Sequence, residues 1–229
     1  MSETLARLER PSAQSVQSRR KLYLVFLVFT HASAPQEYKD RSEKYWRQVD
    51  AHLRNLESKA GVVRHVYHEG VYERGEAGLA LLKRMRQSSN DIVHARCAAG
   101  AALEAMEDKE LAAELSDWER FMLMGFSSER VSDLVRDLYS QALKNRNEHV
   151  LSVIDETLGP GESGVLLVGE GHRLQFPSDI EVFSVVPPAL DELHRWARDQ
   201  AAREPGAEDD VVASAPEPEP VPEQAAEDA

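Results

Sequence analysis

Cysteine is nearly absent: Cys97 stands alone among 229 residues. No intramolecular disulfide can form, and neither a CxxC redox pair nor a cysteine-based zinc site is available, which suits a reducing compartment. Long apolar runs are missing too, since none reaches the roughly 18 to 20 residues that span a bilayer. The motifs that hold nucleotide phosphates or a serine nucleophile do not occur, whether GxxxxGK[ST] or GxSxG. The segment Gly169-Glu170-Gly171-His172 is no dinucleotide fingerprint, because Leu174 stands where GxGxxG requires its third glycine. Basic residues are lacking at one end. From Glu204 to Ala229 there are nine acids and no Lys or Arg, so the net charge of −13 falls to −4 for the rest, 27 bases against 31 acids. A phosphate-backbone binder needs clustered Lys and Arg, so nucleic acid is not an expected partner.

The length fits one domain of about 150 residues with extensions. Residues 1–20 form a polar lead without sustained periodicity. From residue 204 the Glu/Asp/Ala/Pro composition, with alternating prolines from Pro216 to Pro222, has too little apolar mass to offset ordering entropy and reads as a disordered acidic tail. Residues 21–203 are expected to form a single α/β domain. Ser18 to Lys21, the apolar run Leu22–Phe29 and Ala32-Ser33-Ala34 imitate an export signal over residues 18–34. The long polar lead, the shortness of the run, Pro35 after the cut position and the richness in Val, Tyr and Phe favour a buried strand in a cytoplasmic protein.

Hydrophobic periodicity sets the expected elements. Leu22–Phe29 is continuous, as for a strand covered on both faces. Trp46, Val49, Leu53 and Leu56 recur at helical spacing within a helix over 36–59, and Val62–His68 is a second strand after Gly61. A helical insertion follows over about 76–125, with Leu79, Leu82, Ile92, Ala99, Leu103 and Met106 in phase and Ser89 as a cap for a restart. A long helix over 128–158 carries Val131, Leu134, Val135, Leu138, Ala142, Val150 and Ile154 on its expected buried stripe. The GPGES turn ends it, Gly164–Val168 and Ile180–Val186 are further strands, and Pro188 starts a last helix to Arg203. Alternating strands and helices predict a mainly parallel central sheet flanked by helices.

Three polar sites follow apolar strands: Thr30-His31, His68-Glu69, and Gly169 to His172. In an open parallel sheet the carboxyl ends of the strands share one rim, where ligands bind. His31, Glu69 and His172 are therefore expected to converge. Two imidazoles and a carboxylate are a ligand set for Zn, Mn or Fe(II), and without metal they serve as base, acid and proton shuttle. His68 and Glu170 compete for the same roles. Cys97, beside Ala98, Ala99 and Gly100, reads as a packing residue, and Arg146 and Asn147 as a solvated helix face.

The stretch Asn145-Arg146-Asn147, then Ile154 and Leu158, then Gly164 through His172 resembles the C-terminal signature of the TraB/TIKI-type superfamily, where an RN pair in a helix precedes an apolar strand ending in GxxH. The same superfamily includes ChaN-like haem-binding and erythromycin-esterase-like proteins. Val28-Phe29-Thr30-His31 and Val66-Tyr67-His68-Glu69 resemble its N-terminal segments, with Val28 where the family has glycine. The resemblance covers about residues 21–190. It implies a site of His31, Glu69, Arg146 and His172, with His31, Glu69 and His172 as ligands of a divalent metal (Mn, Zn or Co) in the TIKI-like branch, and His and Glu activating water without required metal in the esterase-like branch. The implied reaction is hydrolysis of a peptide or ester bond, Arg146 stabilising the oxyanion. The alternatives are a non-catalytic protein holding a small ligand or haem, and an interaction module docking a partner protein or a second copy of the chain.

Overall fold

The computed structural model describes residues 19–85 and 88–203. The expected acidic tail, and the lead up to residue 18, lie outside the described residues. Five strands form one all-parallel sheet: β1 (Arg20–Phe26), β2 (Val63–His68), β3 (Ala102–Leu103), β4 (Ser163–Val168) and β5 (Ile180–Val185), in the spatial order β3-β2-β4-β1-β5. The helices among the described residues are α1 (Gln36–Ala60), α2 (Gly75–Met85), α3 (Asn90–Ala98), α4 (Lys109–Leu123), α5 (Glu129–Thr157) and α6 (Pro188–Arg203). The expected α/β architecture with a parallel sheet between helices is the one observed. No helix among the described residues is long and apolar enough to cross a membrane.

The sheet is central because its middle strands are apolar on both faces. Every residue of β4 is buried, and β1 pairs with it from Lys21 opposite Ser163 to Phe26 opposite Val168. On one face Tyr45, Val49 and Leu53 of α1 and Leu190 and Leu193 of α6 pack against Tyr23, Val25, Val165 and Leu167. On the other, Val150 and Ile154 of α5, with Leu158 and Leu174, cover Leu22, Leu24, Leu166 and Val168. Each such side chain stabilises the fold by roughly 1.5–3 kcal/mol on burial. The two covers differ in kind, because β4 reaches β5 through the helix-free loop 169–179, which itself supplies Leu174 to the core.

Local chemistry sets the boundaries. β1 starts earlier than its apolar run, at Arg20, whose guanidinium is buried between Asp155 and Asp179, each 2.8 Å away. The α1 helix ends at Gly61, where φ is +135°, a backbone conformation open to glycine, and Tyr23 Oη donates to its carbonyl at 2.7 Å.

Two expectations differ from the structure. The helical insertion over 76–125 is interrupted: Gly100, with φ of +102°, ends the turn after α3, and the next residues pair with the sheet edge as β3, Val66 opposite Leu103. Leu103 and Met106 share a helical phase in sequence, yet they lie in the core on opposite faces of the sheet. The stripe of α5 is also only partly buried. Val135, Ala142, Val150 and Ile154 are inside, whereas Val131, Leu134 and Leu138 are exposed, because the first half of the helix extends beyond the sheet, where α4 is its main neighbour among the described elements.

Candidate active site

β2 and β4 are neighbours, so the residues just past their carboxyl ends are brought together by register. Tyr67 lies opposite Leu166 and His68 opposite Leu167, and the Glu69 N–H extends the ladder by donating to the Leu167 carbonyl at 2.9 Å. The Glu69 side chain then reaches Gly169, whose N–H donates to Oε2 at 2.5 Å. A Cβ at position 169 would stand 3.2 Å from that oxygen, so the close approach of backbone to carboxylate favours glycine here.

Arg146 comes from the buried stripe of α5. Its Nη2 donates to Glu69 Oε1 at 3.1 Å, and Nε and Nη2 both donate to the carboxylate of Glu107, the former at 3.0 Å. The Glu107 side chain is only 2% exposed and that of Arg146 7%. Burial works against the guanidinium charge, but the hydrogen bonds and charges of Glu107 and Glu69 outweigh it and hold Arg146 more firmly protonated than usual. Removing one member of such a buried pair leaves a bare charge behind. Glu69 is the outward end of the cluster, with 32% of its side chain exposed, so water reaches it.

His172 lies on the loop after β4, half-buried between Phe26 and Phe176, ring centroids 6.1 and 6.4 Å away. The Leu174 N–H donates to Nδ1 at 3.3 Å, which places the proton of the neutral ring on Nε2. Burial lowers the His172 pKa; the Glu69 charge opposes that shift and the Arg146 charge adds to it, leaving the ring neutral near pH 7. A cavity of about 310 Å³ has on its wall Asn147 and Arg173, the chain neighbours of Arg146 and His172, but none of the cluster side chains themselves. A larger one, about 530 Å³, lies between α1 and α3, lined by Thr30, Trp46 and Asp50 among others, and none of the cluster residues lines it.

Glu69 and Arg146 are in direct contact, and His172 lies near enough to feel both charges, although the three come from separate elements. Arg146 is not the solvated residue its charge suggested. His31 stays apart: its side chain is exposed on the loop after β1, and its carbonyl accepts from Ala34 N–H at 3.0 Å. Both Glu69 oxygens are engaged by Arg146 and Gly169, and among the described residues no group of three or more His, Cys, Asp or Glu side chains is placed to hold a metal ion. The donor set present thus does not fit the His31/Glu69/His172 metal centre.

The secondary candidates take structural places. His68 is fully buried and donates from Nδ1 to its neighbour's carbonyl, that of Glu69, at 2.6 Å, while the Ser89 hydroxyl donates to Nε2 at 2.8 Å. Ser89 precedes α3 as expected, but its side chain serves this histidine and makes no cap bond. Burial pushes the His68 pKa down to about 4. Glu170 is exposed, with its carboxylate 3.0 Å from His194 Nε2. Asn147 is half-buried with Oδ1 lacking a hydrogen-bond partner. Cys97 is half-buried against the core, and burial raises its pKa, in keeping with packing.

Glu107 is the member that sequence reasoning missed. Its signal lay in Ala101–Met106, a mostly apolar stretch after a glycine, broken by Glu104; reading that as a strand would have put Glu107 on the same rim as Glu69. Compared with known families and proteins, the chain matches no family model, no curated protein and no solved structure.

Proposed function

We propose that this chain is a hydrolase of the TraB/TIKI-like superfamily that cleaves a peptide or ester bond using Glu69 and His172. The proximity of Glu69, Arg146 and His172 supports the reading, because they are three of the four residues that the signature resemblance names, His31 being the fourth. Glu69 accepts a proton from a bound water through a lone pair that neither Arg146 nor Gly169 uses, and the water oxygen attacks the carbonyl carbon. The neutral His172 donates a hydrogen bond from its Nε2–H to the developing oxyanion, and Glu69 passes the proton it took from water to the leaving oxygen or nitrogen, which returns both side chains to their starting state. Arg146 is too deeply paired to contact a substrate oxyanion, so its part is to fix the carboxylate in place, a positioning role. Asn147 and Arg173, next in the chain to Arg146 and His172, line a cavity of about 310 Å³ that this reading assigns to the substrate. One cysteine and a nearly balanced body support a cytoplasmic setting.

A panel of nitrophenyl esters and fluorogenic peptides tests this. Glu69→Gln and His172→Ala are each expected to lower kcat by roughly 10²–10⁴ with an unchanged circular dichroism spectrum. The acid limb of the rate profile should fall below the ordinary histidine range, since burial disfavours a second proton on His172. Activity unchanged in both variants would overturn the assignment, and activity lost on chelation with stoichiometric metal in the wild type would replace it with a metal route. A non-catalytic ligand-binding protein is the second reading, favoured by the larger cavity lying apart from the cluster. A Soret band on haem titration, with no turnover of any substrate, would select it.

A further inference from the structure

The α4 and α5 helices form an antiparallel pair joined at residues 124–128. Because α5 runs antiparallel to the strands and Arg146 sits at the carboxyl rim, its first seventeen residues, 129–145, carry the pair about 25 Å beyond the sheet. Inside the pair little is buried: Leu115, Val135 and Ala142. Outside it much apolar surface is exposed, with Phe121, Leu123 and Met124 at the turn and Val131, Leu134 and Leu138 along α5. Leu123 is 88% exposed, Met124 75% and Leu134 58%.

The pattern explains the exposure. At about 100° per residue, Val131, Leu134 and Leu138 lie on the same side of α5 as Val135 and Ala142, so the apolar face is wider than one neighbouring helix covers. An apolar face of this width belongs to a helix with two neighbours, as in a four-helix bundle. These six large apolar side chains, exposed within one hairpin, are more than the scattered single exposures that are normal on a monomer, and they suit an interaction surface.

We infer that the hairpin is half of a four-helix bundle completed by the same hairpin of a second copy of this chain. Segments of the chain outside the described residues are poor occupants: β1 begins and α6 ends at the amino edge of the sheet, opposite the hairpin. The Glu204–Ala229 segment offers no apolar side chain larger than Val. Charge also fits self-pairing. Residues 117–137 hold five acids and three bases, interspersed, which neither repels a like surface strongly nor attracts an anionic bilayer. The stripe continues three helical positions down α5 from the turn, along a side that a bilayer touching only the tip would leave in water.

Sedimentation equilibrium of the full chain over a broad concentration range tests the inference. The expected species is a dimer, twice 25.7 kDa, and Leu134→Glu with Leu138→Glu should weaken it roughly hundred-fold while leaving circular dichroism unchanged. A second variant, Leu123→Ser with Met124→Ser, should weaken it less, because the turn is the periphery of the bundle. A wild-type monomer at every concentration would overturn the proposal, as would a dimer indifferent to both variants. Wild-type co-sedimentation with phosphatidylcholine or phosphatidylserine vesicles, abolished by the turn variant, would assign the surface to a bilayer instead. Hydrolytic activity does not enter this test, so its outcome is separate from the assignment of Glu69 and His172.

Discussion

The two halves of α5 obey opposite rules. Its second half lies on the sheet and buries a guanidinium between two carboxylates, whereas its first half lies in solvent and exposes leucines. A charge inside and hydrocarbon outside are each costly in isolation, and one helix carries both. The difference teaches that burial follows the surroundings a segment is given by the fold, and composition alone does not decide it. A helix long enough to outrun its sheet offers its apolar side to whatever comes next.

That contrast can be broken at its charged end. Arg146→Ala is expected to destabilise the protein by about 3–5 kcal/mol, because Glu107 is left buried without its cation, and urea denaturation measures this directly. The double variant Arg146→Met with Glu107→Leu should recover much of the loss, since the cost lies in the stranded charge. If the double variant is as unstable as the single, packing around α5 governs that half and the electrostatic account fails.

Acid sharpens the same comparison. His68 has an unfolded pKa of about 6.5 and a folded one of about 4, so the unfolded chain takes up the proton first. Its contribution is complete above pH 6.5 and is lost as pH falls toward 4, on the order of 3 kcal/mol across that window. Denaturation midpoints over this range should drop accordingly, and a His68→Gln variant should show a flatter acid limb. At the exposed end the expected effect is smallest: in dilute solution Leu134→Gln and Leu138→Gln should each shift the stability of the monomer by less than ~0.5 kcal/mol. A loss of several kcal/mol would mean that these leucines are already covered within one chain.

Much of this molecule was legible in its sequence. Continuous apolar runs marked β1 and β4, Pro188 marked the start of α6, and the rim rule placed Glu69 and His172 just past the ends of β2 and β4. The short strand β3 was not legible, because Ala99, Leu103 and Met106 keep helical spacing by coincidence, and an edge strand of two paired residues has no periodicity of its own. Glu107 was hidden with it. Arg146 looked solvated because charge argues for exposure until its two carboxylate partners are known. His31 illustrates the reverse: a polar residue after a strand is on the rim by default, yet its loop leaves it facing water.

The passage from β4 to β5 runs without a helix, and the same eleven residues, 169–179, hold Gly169 and His172 at the cluster and send Leu174 into the core. A lip that is also a wall cannot swing freely: lifting it would strip hydrocarbon from the sheet. Whatever rests against Gly169 and His172 therefore meets a surface fixed by the same burial that holds the sheet together.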